Sequence, residues 1–369
     1  MKNESLLFVS TNNADYGGSD VLWAETAERL ARAGHAVACE VSAQWRAGPH
    51  AGRLSAAGVE IRLRRHGDFW SRVKGRLGRI RSAALREEHG LVLINEGMFG
   101  AGHGIAAQCR QVGLRYAILS HAVAETRPIR DVDLDSVSVG IREAAVVFFV
   151  SNQNHKDASS QIGEPIPHGE VTINPFNVRY DASVDWPTSD AVSLACVARL
   201  DSAPKGQDLL LKVLAMDHWR ARPLTVSFFG RGRQQKALEK EASRLGLESV
   251  RWRGHVDSIE DIWRDHHALI LPSRFEGLPL ALVEAMLCSR PALVTEVAGM
   301  PELIEDGQQG YLAEAPTVRH LNDALERLWV ARENLQAMGV RAAEKVKQNV
   351  PPDPVSVFAD RLICCLGGD

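Results

Sequence analysis

Residues 272–286, PSRFEGLPLALVEAM, decide the fold class of this chain. They follow an apolar run at 267–271, HALIL, that predicts a buried strand. A tight loop then carries Glu276, and apolar residues recur at helical spacing in a helix whose second turn carries Glu284. Ligands of open parallel sheets bind where strands end and helices begin, and the first N–H groups of such a helix can hold a phosphate. The stretch therefore predicts a phosphate site beside two carboxylates that could bind hydroxyl groups, as a sugar nucleotide requires.

Length and composition limit the classes of protein to consider. With 369 residues the chain suits two domains, each of roughly 150–200 residues. A net charge of −3 provides no general attraction for nucleic acid, and we expect no nucleic-acid partner. The six cysteines are scattered without metal-binding spacing, which favours reduced thiols and a cytoplasmic protein. Neither a signal peptide nor an apolar run of roughly 18 residues is recognisable.

Strands and helices alternate along the chain in two successive series, which predicts parallel sheets with right-handed crossovers. A polar stretch at 180–190 separates the series, so we expect one Rossmann-like domain at 1–180 and a second at 181–354. A short helix at 355–366 follows a proline break. The predicted strands lie at 6–9, 36–41, 91–95, 116–119, 146–150, 192–197, 224–229, 250–252 and 268–271. The predicted helices lie at 20–33, 105–112, 153–162, 207–215, 234–245 and 257–263.

Two glycine-rich loops precede helices of the first domain. Gly17 and Gly18 would let the backbone approach a ligand closely, with Ser19 or Asp20 capping the helix that follows. An ordinary turn with an N-cap explains this loop equally well. The second loop, GMFGAGHG at 97–104, is a weak dinucleotide motif because its spacing is G-x-G-x-G and it lies outside the first βαβ unit.

Two cations flank a predicted loop of the second domain, RLDSAPKG at 199–206. Arg199 and Lys205 could hold a pyrophosphate and stabilise the charge that grows on it as it leaves. Solvated surface cations are the alternative. The presence of the Glu276 loop in the same domain favours the binding site.

Taken together, these segments resemble the retaining glycosyltransferases of family 4, most strongly between residues 198 and 312. The resemblance implies the GT-B fold, in which two Rossmann-like domains with parallel sheets face each other across an interdomain cleft. It also implies that the helix at 355–366 packs back on the first domain. The matching motifs are E-x7-E at Glu276 and Glu284, the loop with Arg199 and Lys205-Gly206, WRGHV at 252–256, GMPE at 299–302 and the glycine loop at 17–20.

The resemblance assigns an activity to this fold. It implies retaining transfer of a sugar, of hexosyltransferase type, from a nucleoside-diphosphate sugar bound by the second domain. The acceptor is the hydroxyl of a glycan, a lipid-linked saccharide or another cell-envelope precursor, bound on the side of the first domain. UDP is favoured because uridine is the commonest base in the family. No metal and no cofactor are implied.

The same resemblance assigns roles to individual residues. Arg199 and Lys205 would bind the diphosphate, Glu284 the ribose hydroxyls and Glu276 the transferred sugar, while His121 would lie near the donor sugar. The implied catalytic residues are His121, Arg199, Lys205 and Glu276. Further donor-binding residues are Gly17, Gly18, His255, Val256, Gly277, Leu278 and Leu280.

Three residues depart from the family pattern. Asp20 stands where most relatives have Glu, and Asn177 replaces a frequent Asp. Ser289 stands where a glycine usually ends the helix that carries Glu284, and a non-glycine left-handed cap costs about 1 kcal/mol. None of the three changes the residues predicted to bind the diphosphate.

The acidic run DVDLD at 131–135 contains the D-x-D pattern that binds a divalent metal in the other large glycosyltransferase fold. It falls in a polar connection of the first domain, far in sequence from the diphosphate loop. We therefore interpret it as a solvated acidic run.

Residues 61–86 are strongly basic, with nine Lys and Arg residues against Asp68 alone. Phe69, Val73 and Leu77 recur at helical spacing, which predicts an amphipathic cationic helix. Such a helix suits an anionic membrane surface or an anionic acceptor, and would place the protein at the inner face of the membrane. A core-packed helix with a solvated basic face is the alternative.

Other functions stay open at this point. A GT-B sugar-nucleotide epimerase would act on the donor without an acceptor, although the E-x7-E pattern favours a transferase. A non-catalytic sugar-nucleotide-binding protein would keep the same pocket without turnover. A nicotinamide-dependent dehydrogenase is the weakest alternative.

Overall fold

The computed structural model describes residues 5–12, 17–64, 85, 89–124 and 127–367. The chain forms two compact units, Met1–Pro175 with Asp353–Asp369 and Phe176–Pro352. Most of the predicted cationic helix lies outside the described residues, and its first residues belong to a strand. Among the described helices, none has the length and apolar character needed to cross a membrane.

The first unit is built on a parallel sheet to which seven described strands contribute. These are β1 (Leu6–Ser10), β2 (Val37–Val41), β3 (Glu60–Leu63), β4 (Leu91–Glu96), β5 (Tyr116–Ser120), β6 (Val147–Phe149) and β7 (Gly169–Val171). Their order in the sheet is β3-β2-β1-β4-β5-β6-β7. The helices between them are α1 (Gly18–Arg32), α2 (Ala43–Arg46), α3 (Pro49–Ala56), α4 (His103–Val112), α5 (Asp131–Arg142) and α6 (Asn152–Ile162).

The second unit contains a parallel sheet of six described strands. These are β8 (Val192–Val197), β9 (Leu224–Phe229), β10 (Val250–Gly254), β11 (Ala268–Leu271), β12 (Ala292–Thr295) and β13 (Gly310–Ala313), in the order β10-β9-β8-β11-β12-β13. Its helices are α7 (Ser202–Lys205), α8 (Gln207–Leu214), α9 (Asp217–Arg220), α10 (Gln235–Arg244), α11 (Ile259–Asp265), α12 (Leu280–Leu287), α13 (Met300–Leu303), α14 (Val318–Val330) and α15 (Leu335–Asn349), with a 3-10 turn at Arg332–Asn334.

The cores follow from the burial of the sheets. Every residue of β1, β4 and β11 is buried, as continuous apolar runs predict for parallel strands that are covered on both faces. The last helix, α16 (Pro354–Gly367), packs on α1 in the first unit. There its Phe358 ring meets Phe148 edge to face, with ring centroids 4.9 Å apart.

Strand order changes direction at one place in each sheet, between β1 and β4 in the first and between β8 and β11 in the second. All pairings along these sheets are parallel, so the carboxyl ends of neighbouring strands lie on one edge. Ligands of open α/β sheets bind at such a point. In the second unit, this position brings the loop that follows β8 beside the loop that follows β11.

Several sequence expectations need correction. The acidic run at 131–135 was expected in a polar connection, but it forms the first turns of α5, because Asp131 and Asp133 are favourable at a helix N-terminus. The strands β3, β7, β12 and β13 were not predicted, since none contains more than three consecutive apolar residues, whereas the equally short β6 and β11 lie in longer apolar runs. The left-handed conformation expected at Ser289 is confirmed by its φ of 56°.

Candidate functional site

Two loops of the second unit are joined at Gly206. This residue has a φ of +66°, and a Cβ added to it would lie 1.8 Å from the carbonyl oxygen of Pro272, at the end of β11. The backbone N–H of Arg274 donates to the Pro204 carbonyl at 2.8 Å. Only glycine allows both the left-handed conformation and this approach. The Lys-Gly pair therefore positions Lys205 over the loop that carries Glu276.

Arg274 strengthens the same junction from its side chain. Its guanidinium forms a bidentate ion pair with Asp208 at 2.7 and 2.8 Å, and it also donates to the Ser202 carbonyl at 2.7 Å. A planar guanidinium suits this geometry better than an ammonium group. Arg274 therefore holds α7 and α8 against the loop that follows β11.

Lys205 and Glu276, two of the predicted catalytic residues, form an ion pair. The Lys205 Nζ atom lies 2.6 and 2.7 Å from the two carboxylate oxygens, and the Ser273 hydroxyl donates to Oε1 at 2.8 Å. The Glu276 side chain is 8% exposed and that of Lys205 is 19% exposed. The sequence had assigned these residues to different parts of a ligand, whereas here each neutralises the other.

Arg199 lies at the start of the same junction, directly after β8. It is exposed, and its guanidinium makes neither a hydrogen bond nor an ion pair with the part of the chain that the structure describes. Its carbonyl oxygen accepts a hydrogen bond from Gln207 Nε2 at 2.9 Å, which fixes the backbone. The side chain is thus available to an anion at the carboxyl edge of the sheet.

Glu284, on the second turn of α12, is 3% exposed. Its Oε1 atom accepts hydrogen bonds from the backbone N–H and the side-chain amide of Asn177, each at 2.9 Å. Burial raises the pKa of Glu284, and the two donors from Asn177 oppose that rise. The departure from Asp at position 177 therefore supplies a neutral donor to a buried carboxylate.

The remaining predicted donor-binding residues of this unit lie on neighbouring loops. Gly277 and Leu278 follow Glu276, and Leu280 begins α12, whose first N–H groups receive no side-chain cap. His255, with a 64% exposed side chain, and Val256 lie beyond β10. The Gly254 carbonyl accepts from the Gly230 N–H at 2.7 Å, which links that loop to the next one in the sheet.

Sequence reasoning missed the loop after β9, which carries Gly230, Arg231 and Gly232. A Cβ on Gly230 would lie 2.3 Å from the Ala198 carbonyl oxygen, and one on Gly232 would lie 2.2 Å from that of Leu200. Two glycines one residue apart directly after an apolar run were the available signal. They let this loop pack against the Arg199 loop, and Arg231 is exposed beside it.

In the first unit, Gly17 is the N-cap of α1 and Gly18 its first residue. Neither Ser19 nor Asp20 is the N-cap residue, but Asp20 does cap the helix from its third position, as the acidic member of a capping box. The Asp20 carboxylate accepts from the Gly17 N–H at 3.3 Å and from Trp23 Nε1 at 3.0 Å. Asp20 is 1% exposed, so it stabilises the loop from inside.

The glycine-rich loop at 97–104 surrounds Glu96. The N–H groups of Gly100 and Gly102 donate to the two oxygens of its carboxylate at 2.9 and 2.7 Å. Burial raises the pKa of Glu96 to about 7. Because these N–H groups already bind an internal carboxylate, the loop does not present them to a dinucleotide.

His121 follows β5 and is 6% exposed. Its Nε2 lies 2.8 Å from Asn95 Oδ1, and its Nδ1 lies 3.4 Å from Asn174 Nδ2. Burial lowers the pKa of His121 to about 3, so the ring is neutral near pH 7. A neutral ring with both nitrogens engaged is unsuited to general acid or base catalysis.

Solved structures have folds that resemble the fold of this chain over nearly its whole length. HepE of Anabaena, in complex with UDP, aligns with a TM-score of 0.78 and 19% identity over 97% of this chain and 99% of that one. The chain has the GT-B fold. The lipopolysaccharide outer core galactosyltransferase WaaB is a second GT-B neighbour, with a TM-score of 0.72 and 15% identity over 98% of this chain and 99% of that one.

Sequence comparisons concern mainly the second unit of this GT-B chain. Residues 191–330 match the family model described as glycosyl transferases group 1. A GDP-mannose-dependent alpha-(1-6)-phosphatidylinositol monomannoside mannosyltransferase of Mycolicibacterium smegmatis is 28% identical over 219 residues, which cover 54% of this chain and 56% of that protein. The chain spans between 25% and 56% of the length of the curated relatives compared.

Proposed function

We propose that this chain is a retaining glycosyltransferase of family 4, of hexosyltransferase type, that uses a nucleoside-diphosphate sugar. UDP is the favoured nucleotide, and the acceptor is a hydroxyl of a saccharide, a lipid-linked saccharide or another cell-envelope precursor. The observation that carries the proposal is the Lys205–Glu276 pair beside the uncapped start of α12, at the switch point of the second sheet. The match to glycosyl transferases group 1 and the likeness to HepE, solved with UDP, support it.

The diphosphate binds Arg199 and Lys205 in this proposal. The Arg199 guanidinium makes no ion pair with the described part of the chain and can bind a phosphate oxygen directly. Lys205 exchanges its ion pair with Glu276 for an ion pair with a phosphate oxygen. As the bond between the sugar and the diphosphate breaks, negative charge grows on the leaving phosphate, the acceptor oxygen bonds to the anomeric carbon of the sugar, and the hydroxyl proton passes to that phosphate. The two cations and the first N–H groups of α12 stabilise that charge, so catalysis is mainly electrostatic and requires no metal ion.

The two glutamates bind hydroxyl groups. Once Lys205 turns to the phosphate, the Glu276 carboxylate accepts hydrogen bonds from the transferred sugar. Glu284 accepts from the ribose through Oε2, because both donors from Asn177 contact Oε1. The other residues proposed to contact the donor in this unit are Gly277, Leu278, His255 and Val256. In the first unit, the residues proposed to take part are His121, Gly17 and Gly18.

Location follows from the substrate class and from charge. We propose a cytoplasmic enzyme that contacts an anionic membrane through residues 61–86, whose sequence contains nine basic residues and one Asp. Arg64 is 6% exposed and donates to the Ser10 and Asn12 carbonyls, so it takes no part in this contact. Liposome binding that salt weakens, and that replacement of Arg72, Lys74, Arg76 and Arg79 by Gln abolishes, is the expected result. Binding that persists in the quadruple variant would remove the membrane contact from the proposal.

The test is a panel of UDP-, GDP- and ADP-sugars, measured by thermal shift and by donor hydrolysis in the presence of EDTA. We expect one nucleotide to stabilise the protein and slow sugar release to be lost in Lys205→Met and Glu276→Gln. Lys212→Met is the matched control, because Lys212 lies on α8 with a 53% exposed side chain and contacts Asp208 only at 3.9 Å.

Other results would each select another function. Stabilisation without release, even with saccharide acceptors present, would indicate a sugar-nucleotide-binding protein. A changed sugar that stays attached to the nucleotide, visible by NMR, would indicate an epimerase. If no nucleotide sugar stabilises the protein, the proposed function is wrong.

A further inference from the structure

Buried polar side chains of the first unit form a continuous chain of hydrogen bonds from Asp20 to His121. The Ser10 hydroxyl donates to Asp20 Oδ1 at 3.3 Å, and Asn95 Nδ2 donates to Ser10 Oγ at 3.4 Å. Asn95 Oδ1 lies 2.8 Å from His121 Nε2. Ser10, Asp20, Asn95 and His121 are all at most 6% exposed. The chain ends at Asn174, whose Nδ2 lies 3.4 Å from His121 Nδ1.

The direction of each hydrogen bond follows from Asp20. Burial raises the pKa of Asp20, and the hydrogen bonds that it accepts oppose that rise. Its Oδ1 atom accepts from Asn12 Nδ2 and Trp23 Nε1, both at 3.0 Å, and from Ser10, so this oxygen carries no proton of its own. Because the Ser10 hydrogen is used in that bond, Ser10 can only accept from Asn95. The amide nitrogen of Asn95 therefore faces Ser10 and its oxygen faces His121.

We propose that Asn95 is a positioning residue that holds His121 in the neutral tautomer with its proton on Nε2, so that Nδ1 accepts a hydrogen bond from a substrate hydroxyl. The identity of the substrate rests on the proposed function, whereas the tautomer does not. Asn174 Nδ2 donates to Nδ1 at 3.4 Å, a weak hydrogen bond that already uses Nδ1 as an acceptor, so a substrate hydroxyl can take the place of this donor. Because an unprotonated Nδ1 only accepts, the ligand group that it binds must be a hydrogen-bond donor such as a hydroxyl. An ionised phosphate oxygen has no hydrogen to donate and is therefore excluded.

The surroundings of His121 keep the ring neutral. Burial lowers its pKa to about 3. Asp20 is separated from the ring by Ser10 and Asn95, and the carboxylate of Glu96 is turned to Gly100 and Gly102. The backbone N–H of His121 donates to the backbone carbonyl of Glu96 at 3.1 Å. Glu96 of β4 therefore contacts His121 through a neutral group.

The tautomer can be measured in the whole protein by long-range 1H–15N NMR of the histidine rings. Two other histidines serve as internal references, because each contacts a carbonyl oxygen, which can only accept. His168 Nε2 lies 2.8 Å from the Ile141 carbonyl, and His266 Nδ1 lies 2.6 Å from the Ile262 carbonyl. The His121 signals are assigned as those that disappear in His121→Asn. We expect them to show the tautomer of His168, with the proton on Nε2, and to remain those of a neutral ring at pH 5.5. A match to His266, or a cationic ring, would overturn the proposal.

The second test is the pH profile of kcat/KM in Asn95→Asp. A carboxylate in place of the amide favours the imidazolium, which has no acceptor at Nδ1. We expect the ratio of variant to wild-type kcat/KM to fall at least about 10-fold from pH 8.5 to pH 5.5. Asn349→Asp, on the exposed end of α15, should keep a constant ratio.

Glu96 also titrates in this range, but both proteins carry it and its effect cancels in the ratio. A constant ratio for Asn95→Asp would show that the charge of His121 does not matter for the reaction, and would overturn the functional half of the proposal. If Asn95→Asp does not fold, the NMR measurement on the wild-type protein still decides the tautomer. If the wild-type protein has no transferase activity, the proposed function fails while the tautomer stays testable.

Discussion

The ion pair between Lys205 and Glu276 predicts a measurable coupling energy. Lys205→Met leaves the Glu276 carboxylate, 8% exposed, with the Ser273 hydroxyl as its hydrogen-bond donor. Loss of one partner costs about 3–5 kcal/mol for a fully buried pair and about 0.2–1 kcal/mol for an exposed one. Because Lys205 is 19% exposed, we expect a value between these limits, about 2–3 kcal/mol of unfolding free energy.

The reverse substitution should cost less. In Glu276→Gln the ammonium group of Lys205 can turn toward water, so we expect a loss of about 1–2 kcal/mol. The double variant removes both charges and leaves no unpaired ion. Its destabilisation should therefore be smaller than the sum of the single values by about 1–2 kcal/mol.

Urea unfolding of the four proteins measures this coupling. Because the chain forms two compact units, tryptophan fluorescence and circular dichroism are recorded together, and the coupling is taken from the transition that Lys205→Met displaces. The control cycle is Arg319→Met with Asp323→Asn, a pair on α14 whose charged atoms lie 3.9 Å apart and whose side chains are 85% and 57% exposed. We expect a control coupling below about 0.5 kcal/mol. Additive values for Lys205 and Glu276, within about 0.3 kcal/mol, would refute the ion pair.

Three other predictions concern single residues. Gly206→Ala should lower the unfolding free energy by at least about 2 kcal/mol more than Gly246→Ala in urea titrations, because both have left-handed φ values but only position 206 meets a backbone carbonyl. Equal losses would contradict the close approach. Asn177→Ala should weaken UDP binding at least about 10-fold in calorimetry, because Glu284 loses the side-chain hydrogen bond that orients it. An unchanged affinity would indicate that Glu284 does not bind the nucleotide. Burial raises the pKa of Glu96 to about 7, so the folded state retains a proton that the unfolded state releases above about pH 4.5, and stability should fall by about 3 kcal/mol between pH 4.5 and 7.5. Urea midpoints of Glu96→Gln should lack this decrease, and parallel pH profiles would argue against a buried, titrating carboxylate.

Local patterns in the sequence determined the elements that carry the site. Apolar runs predicted β8, β9 and β11 with the bounds that the structure has. The spacing of Glu276 and Glu284 placed one on a loop and the other inside a helix, because helical periodicity depends on near neighbours. The two α/β domains with parallel sheets that these patterns predicted are confirmed, as is the GT-B fold that the family resemblance implied.

The contacts that set the chemistry depend on residues far apart in the sequence. Lys205 and Glu276 are separated by 71 positions, and Asn177 and Glu284 by 107. Lys205 and Glu276 meet because β11 lies between β12 and β8, and its pairing with β8 at the switch point brings the loops that follow these two strands together.

The state of His121 is also a tertiary property. Its sequence context, LSHA at 119–122, says that a histidine follows a strand but gives neither its tautomer nor its charge. Burial keeps the ring neutral, and in our proposal the hydrogen bond that Nε2 donates to Asn95 Oδ1, 26 positions away, sets the tautomer. The sequence by itself therefore determined where strands, helices and charged residues occur, since these follow from short-range periodicity. Tertiary structure alone decided which charges are paired and which groups are neutral, because strand order and desolvation arise only when the whole sheet is assembled.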